Sequence, residues 1–478
     1  MKAKDRNGEL VTGDDASQQA STSQRAARKE NGKALRKDCP RSSHADAILG
    51  EAKRDPLALI EESNQGRVEK LLPIRYTRMA ESAFAFFRGT ALLQAHDLKG
   101  TPTAGITVQC CGDCHLMNFG GFATPERALI FDINDFDETH PGPFEWDVKR
   151  LAASFVLAAR WLGFDDREAR RLVQDLVAAY RTAQAKFAEM SVLETWYARI
   201  TYEELLHEYA NNPKYLRRMQ KAVEKATQST SEHVFQKITT TKDGTPRIVD
   251  QPPLLFHSHP DELHMERDAL PFLKSYQSTL PMERQALLDR FQLVDTAYKV
   301  VGVGSVGTRC YIALFVGCQD DHLFLQVKEA RPSVLQGCAG PSPYKNNGER
   351  VVIGQRLMQS ASDIFLSWSR HHNGHDAYVR QLRDMKVAPD LVGYTPDMLT
   401  AYGDLCGKTL ARAHAKSGDA AMIAGYLGNG SAFDNAIAQY ALAYADQVEK
   451  DYDSFKAATR SGRFPVTTTP SELEQAIR

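Results

Sequence analysis

An aspartate and an asparagine five positions apart form the most unusual chemical pattern of the chain. Asp113 and Asn118 lie in the peptide CCGDCHLMNFGG, which follows a β-like stretch over 106–111. At this spacing the aspartate accepts or orients the proton of a hydroxyl group, while the asparagine holds a magnesium ion. A second β-like stretch, 128–133, then delivers Asp135, whose carboxylate is a ligand that Mg²⁺ prefers. These residues predict the chemistry of phosphoryl transfer.

A glycine pattern, GVGSVG, lies much later in the chain and contains Gly302, Gly304, Ser305 and Gly307. Alone, GxGxxG is a weak signal, and in a dinucleotide-binding unit it opens a helix. Here a β-like stretch, YIALFV, follows it. A glycine loop between two strands lets backbone N–H groups approach phosphate oxygens, because no Cβ stands in the way. We therefore predict a loop that covers phosphates.

A lysine follows this loop in the next β-like stretch, which ends in LQVK at Lys328. In a phosphate site of this type, such a lysine binds the α- and β-phosphates. Glu349, near the start of a helix predicted over 350–359, is a candidate partner for the lysine, and Gln355 is the alternative. The predicted cofactors are ATP and Mg²⁺.

These peptides together resemble a known superfamily. GDCHLMN, IFDINDFDE and EWDVKRLA are similar to the aminoglycoside-phosphotransferase and choline-kinase branch of the protein-kinase-like superfamily. With RYTRMAESAFAFFRG, VGVGSVGTRCY, LQVKEA and YVRQLRDM, the chain beyond about residue 50 resembles the bacterial family called domain of unknown function 2252. The resemblance implies that Asp147 is structural and accepts hydrogen bonds from the loop of Asp113. Arg88, in FFRGT, would tie a helix to that loop or form an ordinary salt bridge.

The order of the motifs differs from that of an ordinary kinase, in which the glycine loop and the lysine come first. A circular permutation explains this order, and TLARAHAKSGD (409–419) resembles the helix that follows the hinge in phosphotransferases. The predicted fold is α+β, a circularly permuted, kinase-like, two-lobe fold. Its small antiparallel β lobe would span about 295–385. Its larger, mainly helical lobe would combine 51–294, with the loop of Asp113 and the metal-binding strand, and the helices of 386–478.

Hydrophobic periodicity adds expectations for single elements. The apolar residues of 76–98 recur at helical spacing and predict one core helix. A helix is expected to end near Asp295, and alternation predicts strands over 298–303, 311–316 and 323–327.

The first fifty residues are predicted to be a disordered tail. Residues 1–45 contain ten Lys or Arg, six Asp or Glu and no aromatic residue. Such a segment buries too little apolar surface to offset the entropy of ordering it.

Composition and charge narrow the partners. The 478 residues carry 59 Lys and Arg against 60 Asp and Glu, a net charge of −1, without the footprint of a nucleic-acid binder. No window approaches 18 uninterrupted apolar residues, and no apolar stretch follows the first positive charges. We predict a cytoplasmic protein whose partners are a nucleotide and a small-molecule or protein acceptor, without nucleic acid or membrane.

The cysteine-rich loop also fits other chemistry. Cys111, Cys114 and His115 spell CxxCH, which attaches haem in an exported protein, but no export signal is evident. A zinc site that also uses Cys110 needs four tetrahedral ligands, which one short loop can hardly supply.

The predicted function is that of an ATP- and Mg²⁺-dependent phosphotransferase acting on a hydroxyl group of a small molecule or protein. Asp113 would be the catalytic base, and Asn118 and Asp135 would hold the metal. Two alternatives use the same motifs: a nucleotide-binding pseudokinase that regulates a partner, and a kinase-like enzyme that transfers AMP.

Overall fold

The computed structural model describes residues 13–47, 54–208, 210, 213–228, 231–242, 244–257, 265–318, 321–382 and 385–467. Its helices, in chain order, are α1 (Gly13–Ala34), α2 (Pro56–Asn64), α3 (Leu72–Met79), α4 (Ala83–Arg88), α5 (Ala91–Leu98), α6 (Phe144–Trp161), α7 (Asp166–Phe187), α8 (Val192–Tyr197), α9 (Tyr202–Glu208), α10 (Pro213–Gln228), α11 (Ser231–Ile238), α12 (Met265–Ser278), α13 (Met282–Leu288), α14 (Gln336–Ala339), α15 (Asn347–Met358), α16 (Pro396–Ser417), α17 (Ala420–Leu427) and α18 (Ala432–Arg460). Its strands are β1 (Thr107–Cys110), β2 (Phe119–Ala123), β3 (Leu129–Ile133), β4 (His140–Pro143), β5 (Ile200–Thr201), β6 (Thr239–Lys242), β7 (Thr245–Ile248), β8 (Leu255–Phe256), β9 (Phe291–Lys299), β10 (Cys310–Gly317), β11 (His322–Glu329), β12 (Ser367–Arg370) and β13 (Asp376–Gln381). None of the described helices has the length and apolarity needed to cross a membrane.

The architecture is mixed α+β with antiparallel sheets, as the α+β prediction requires. The largest sheet has six strands in the order β12–β13–β11–β10–β9–β8, and every neighbouring pair is antiparallel. Smaller antiparallel sheets pair β1 with β4, β2 with β3 and β5, and β6 with β7. Helix α15 packs on β12 and β13. The glycine loop joins β9 to β10 in the six-stranded sheet.

The expectation of a helix near Asp295 is wrong, because the strand β9 begins at Phe291. Asp295 lies inside this strand and is buried, and its Oδ2 accepts a hydrogen bond from the backbone N–H of Ile248 at 2.7 Å. A charged residue at an inward position hides the apolar alternation of the strand. Sequence periodicity therefore placed the strand too late in the chain.

Four long helices, α6, α7, α16 and α18, pack together and form the main hydrophobic core. Residues 144–159 of α6 are all buried, so this helix lies at the centre of the bundle. It carries several buried charged side chains into the core, and two of them, Asp147 and Arg150, hold the loop of Asp113.

The predicted single helix over 76–98 is wrong, because the chain forms α3, α4 and α5 instead. Ser82 caps α4 by accepting the backbone N–H of Ala85 at 3.0 Å. Gly89 ends α4 beside Met79, where a Cβ would come within 2.7 Å of the Met79 side chain. The breaks place Arg88 at the last position of α4, where the candidate site lies.

The predicted disorder of residues 1–50 is also wrong for the described part, 13–47, since α1 and the 3₁₀ turns after it pack on α17. Arg36 donates to the carbonyl oxygens of Gly425 and Tyr426, and His44 is bonded to the Tyr426 hydroxyl at 2.7 Å. A Cβ on Gly425 would lie 2.0 Å from a carbonyl oxygen of α1, so the two helices meet closely. Backbone hydrogen bonds and small residues replace the aromatic contacts that the composition lacks. Residues 1–12 and 48–50 lie outside the described ranges.

Candidate functional site

The loop 111–118 is held in place by helix α6. The carboxylate of Asp147 accepts hydrogen bonds from the backbone N–H groups of Cys111 at 2.6 Å and Gly112 at 3.0 Å, which confirms its predicted structural role. Gly112 has a φ of +86°, and a Cβ there would lie 2.0 Å from the carbonyl oxygen of Glu138. Only glycine fits this position.

Asp113 is oriented by Arg150, which lies about one helical turn after Asp147 on α6. The Nε of Arg150 donates to Oδ1 of Asp113 at 2.8 Å, and its Nη2 lies 2.6 Å from the same oxygen. Asn118 donates from Nδ2 to the carbonyl oxygen of Asp113 at 2.6 Å. This contact orients the Asn118 amide, whose oxygen accepts no hydrogen bond from the described residues.

Asp135 and Asp137 follow β3, and Asp137 gathers the polar groups around it. Lys328 Nζ lies 2.6 Å from Asp137 Oδ2, and the hydroxyl of Tyr378 donates to Oδ1 at 2.6 Å. Ser305 Oγ, from the glycine loop, donates to Oδ2 at 3.3 Å. Asp137 therefore connects the loop, the lysine and the aspartate-bearing turn.

The expected pairing of Lys328 with Glu349 does not occur in the structure. The ammonium group of Lys328 binds Asp137, and no hydrogen bond or ion pair among the described residues joins it to Glu349. Gln355 donates to the Gln359 side chain at 2.9 Å. Glu349 lies in the first turn of α15, capped by Asn346, so its place in the site remains a prediction.

The glycine loop is anchored to the segment around α3. Arg78 donates to the carbonyl oxygen of Gly302, Arg67 donates to that of Val306 at 2.6 Å, and Val68 N–H donates to that of Gly307 at 2.8 Å. Gly302 and Gly307 have φ values of +62° and +87°, a region that glycine adopts without strain.

One cavity of about 520 Å³ brings these parts together. Six of the predicted site residues line it: Asp113, Asn118, Asp135, Gly302, Gly304 and Ser305. Gly307, Lys328 and Glu349 do not line it. Lys328 lies behind Asp137, with only 3% of its side chain exposed. The two loops, which are far apart in the chain, thus face one another across a single space.

Charges in this cavity shift the pKa values of its carboxyl groups in different directions. Burial alone would raise the pKa of Asp135, but Lys328 and Arg380 more than offset it and hold that pKa below its usual value. Burial raises the pKa of Glu138 to about 6, even though its carboxylate accepts the backbone N–H of Val334. Asp135 therefore stays ionised to a lower pH than Glu138 does.

The donors at the site fit a magnesium ion. Mg²⁺ needs only one or two protein oxygens when phosphates and water complete its octahedron. Asn118 offers an amide oxygen and Asp135 an ionised carboxylate in the same cavity. Among the described residues, no group of three or more His, Cys, Asp or Glu side chains is arranged to hold a metal ion alone.

The cysteines of this loop are buried free thiols. Burial raises the pKa of Cys110 and Cys114, which opposes the thiolate form that zinc requires. His115 is buried too, and desolvation, helped by Arg88 and Arg150, lowers its pKa to about 3. The three cysteines belong to the main hydrophobic core, and His115 is buried beside them.

Several site residues escaped the sequence reasoning. Asp137 lies two positions after Asp135 in NDFDE, and the sequence reasoning assigned a role to Asp135 alone. Arg150 follows Asp147 by three positions, so helical spacing could have placed both on one face of α6. Arg67 and Arg331 line the cavity without any motif that marks them.

The fold and the site together define a class: a mixed α+β protein with a charged cavity between a glycine loop and an Asp–Asn loop. The sequence pattern of one family, domain of unknown function 2252, matches residues 67–458, and the chain belongs to this family. The family is described as an uncharacterised protein conserved in bacteria. Comparison with curated proteins and with solved structures gives no match.

Proposed function

We propose that the protein is an ATP- and Mg²⁺-dependent phosphotransferase with a circularly permuted, kinase-like fold. One observation carries this proposal: the glycine loop, Asp113, Asn118 and Asp135 line the same cavity. An ATP-dependent transferase needs these groups around one phosphate chain. The acceptor would be a hydroxyl group of a small molecule or a protein.

The path of the chain supports the permutation. In the usual kinase order, the helices that follow the β lobe lead into the segment before the catalytic loop. Here the stretch after α18 runs beside α3, because the backbone N–H of Thr467 donates to Thr77 Oγ1 at 3.0 Å. The hydroxyl of Tyr452, on α18, donates to the carbonyl oxygen of Ala80 at 2.7 Å. Nearby ends of this kind are what a permutation requires.

The residues divide the work of transfer. Asp113 orients the acceptor hydroxyl and takes its proton, while the acceptor oxygen forms a bond to the γ-phosphorus and the bond from that phosphorus to the β,γ-bridging oxygen breaks, which releases ADP. Backbone N–H groups of Gly302 to Gly307 cover the phosphates. Asn118 and Asp135 would hold Mg²⁺, which would neutralise charge on the phosphate oxygens. Lys328 fixes Asp137, which in turn accepts a hydrogen bond from Ser305 of the glycine loop.

A nucleotide-binding pseudokinase is the second candidate, and one contact favours it. Arg150 contacts Oδ1 of Asp113 through both Nε, at 2.8 Å, and Nη2, at 2.6 Å, so one oxygen of the proposed base is already occupied by a partner within the chain. The two candidates differ in turnover. Incubation with Mg·ATP, with water as the acceptor, should yield ADP slowly in the phosphotransferase and less in Asp113→Asn. A pseudokinase would bind Mg·ATP and yield none.

The first test is calorimetric titration of Mg·ATP into the wild type, Lys328→Ala and Asp135→Asn. We expect binding that weakens at least about tenfold in both variants. Asp135→Asn removes a proposed metal ligand, and Lys328→Ala removes the partner of Asp137, which holds Ser305 of the glycine loop. Lys408→Ala and Asp404→Asn are matched controls, since this exposed pair lies 2.8 Å apart on α16, and both should bind as the wild type does. A folded wild type that binds no Mg·ATP would refute both candidates.

A further inference from the structure

One arginine in the cavity has no hydrogen-bonding or ion-pair partner among the described residues. Arg88, the last residue of α4, lines the cavity, and no hydrogen bond or ion pair involves it among the described residues. Its Nε is buried without an acceptor, and its guanidinium lies 5.8 Å from the Phe84 ring centroid. A guanidinium offers five N–H donors, and leaving them unpaired when buried is costly.

Three more arginines, Arg67, Arg75 and Arg331, line the same cavity and bind uncharged acceptors only. Their partners are backbone carbonyl oxygens, such as that of Gly89 for Arg75 at 2.6 Å, and the side-chain amide of Asn64. Burial is the main cause that lowers the pKa of Arg67, to about 10, and mutual repulsion with Arg331 adds to it. Guanidinium groups keep their charge at neutral pH, so this wall is positive.

The carboxyl groups of the cavity do not neutralise this wall by direct contact. Asp113 is paired with Arg150, Asp137 with Lys328, and Glu329 with Arg309 at 3.2 Å. Glu138 is bonded to a backbone N–H, Asp135 is the candidate metal ligand, and Glu62 is exposed. These carboxyl groups still attract the arginines over a longer distance. Asp113 acts to raise the pKa of Arg88, and Glu138 acts to raise that of Arg67, although burial lowers both.

The position of Arg88 indicates which ligand it serves. Arg88 and Asp113 line the same cavity, and Arg150 joins their two segments by donating to the carbonyl oxygen of Phe87 at 2.9 Å and to Oδ1 of Asp113 at 2.8 Å. Arg88 therefore lies near the carboxylate that an acceptor hydroxyl must approach. A second cavity of about 520 Å³ shares four lining residues with the first: Glu62, Leu92, Val334 and Gly337. The body of an acceptor can extend into it.

We infer that the acceptor of this site carries a phosphate group of its own, which Arg88 binds beside Asp113. A phosphate matches the planar fork of a guanidinium, and its double charge matches a wall of several arginines. That this phosphate belongs to an acceptor rests on the proposed function, but the binding of phosphate by Arg88 can be tested without it.

The experiment titrates inorganic phosphate into the full-length protein, first without nucleotide. We expect binding in the wild type and a loss of at least about tenfold in Arg88→Gln, because charge-assisted hydrogen bonds are removed. Arg160→Gln is the matched control, since its guanidinium already binds Asp166 and Asp446, and it should bind phosphate as the wild type does. Equal affinities of wild type and Arg88→Gln, or no binding to the wild type, would overturn the inference.

A second titration adds saturating Mg²⁺ and the non-hydrolysable ATP analogue with an imido bridge between the β- and γ-phosphates. Phosphate that still binds, with an affinity within about threefold, supports an acceptor subsite separate from the nucleotide. Phosphate that the analogue excludes would assign Arg88 to the γ-phosphate and overturn the inference. An analogue that does not bind refutes the proposed function, whereas the first titration still reports on Arg88. If Arg88→Gln does not fold, Arg88→Lys, which keeps the charge but removes the planar fork, provides the comparison and should also bind phosphate more weakly than the wild type.

Discussion

Two arginines that line neighbouring cavities differ in what their guanidinium groups contact. Arg54 donates to Asp97 at 2.6 and 2.9 Å and to Asp451 at 2.8 and 2.6 Å, and all three side chains are less than a tenth exposed. Arg88 makes no hydrogen bond or ion pair among the described residues. Both belong to short segments that cover the core.

This difference separates a structural charge from one that is kept for a ligand. Arg54 ties two distant parts of the chain together, because Asp97 ends α5 and Asp451 lies on α18. Its partners raise the pKa of its guanidinium against the effect of burial. For Arg88, burial lowers the pKa and only longer-range attraction opposes it. A buried charge without a partner reduces stability, which a protein tolerates where a ligand supplies the partner.

Arg54→Met removes the arginine that is paired with two carboxylates, and it should have the largest effect on stability. It leaves two buried carboxylates without their counter-charge, so we expect the free energy of unfolding to fall by roughly 3–5 kcal/mol. Urea denaturation at pH 7 measures the change. Arg160→Met is the control: it removes three ion pairs, but their carboxylates, Asp166, Asp446 and Glu449, are exposed, so it should cost within about 1 kcal/mol. A loss from Arg54→Met as small as that control would contradict the structural role.

Lys328→Met tests an intermediate case. Asp137 keeps the Tyr378 hydroxyl and is 28% exposed, so losing the ammonium group should reduce the free energy of unfolding by about 2 kcal/mol. Denaturation in urea, with Lys408→Met as the exposed control, measures it. An unchanged stability would mean that the Lys328–Asp137 contact is not formed in solution.

His115 gives the comparison a pH dependence. Its pKa is lowered to about 3 from an ordinary 6.5, so the folded state keeps it neutral while the unfolded state takes up a proton below pH 6.5. The stability that it contributes is therefore complete above pH 6.5 and falls by about 1.4 kcal/mol per pH unit towards pH 3.

The variant His115→Gln should show a shallower decline than the wild type between pH 6 and pH 4. Urea denaturation at several pH values measures the two curves. His44, whose pKa burial also lowers to about 3, is unchanged in the variant and contributes equally to both proteins. Curves that run parallel over this interval would refute a buried neutral His115.

Arg88→Met should have the smallest effect on stability. Methionine replaces the apolar stem of the arginine, and no partner is left unpaired, so we expect a change within about 1 kcal/mol in either direction. Thermal and urea unfolding measure it. A loss comparable to that of Arg54→Met would show that Arg88 is structural and would remove the reason to assign it a ligand.

Part of the candidate site followed from local spacing. Asp113 and Asn118 share one short loop, Asp135 follows the next strand, and Gly302 and Gly307 show the backbone conformation that their residue type allows. Such features depend on neighbours in sequence, so a pattern reveals them. The same holds for the strands β10 and β11, whose alternation of apolar residues is regular.

Other predictions failed where long-range contacts decide the outcome. Glu349 was expected beside Lys328, but Asp137, in the turn that follows β3, binds the lysine instead. Residues 13–45 were expected to be disordered, yet α17 offers them backbone carbonyl acceptors and a close glycine contact. Composition cannot report partners that lie hundreds of residues away.

The sequence by itself determined which groups could do chemistry and the secondary structure around most of them, because residue type, spacing and periodicity act over a few positions. Only the tertiary structure decided that the glycine loop and the loop of Asp113 share a cavity and that Lys328 binds Asp137. It also decided that Arg54 has two carboxylate partners, whereas Arg88 has none among the residues that the structure describes. Pairing of buried charges depends on distances across the whole fold, which the order of residues does not contain.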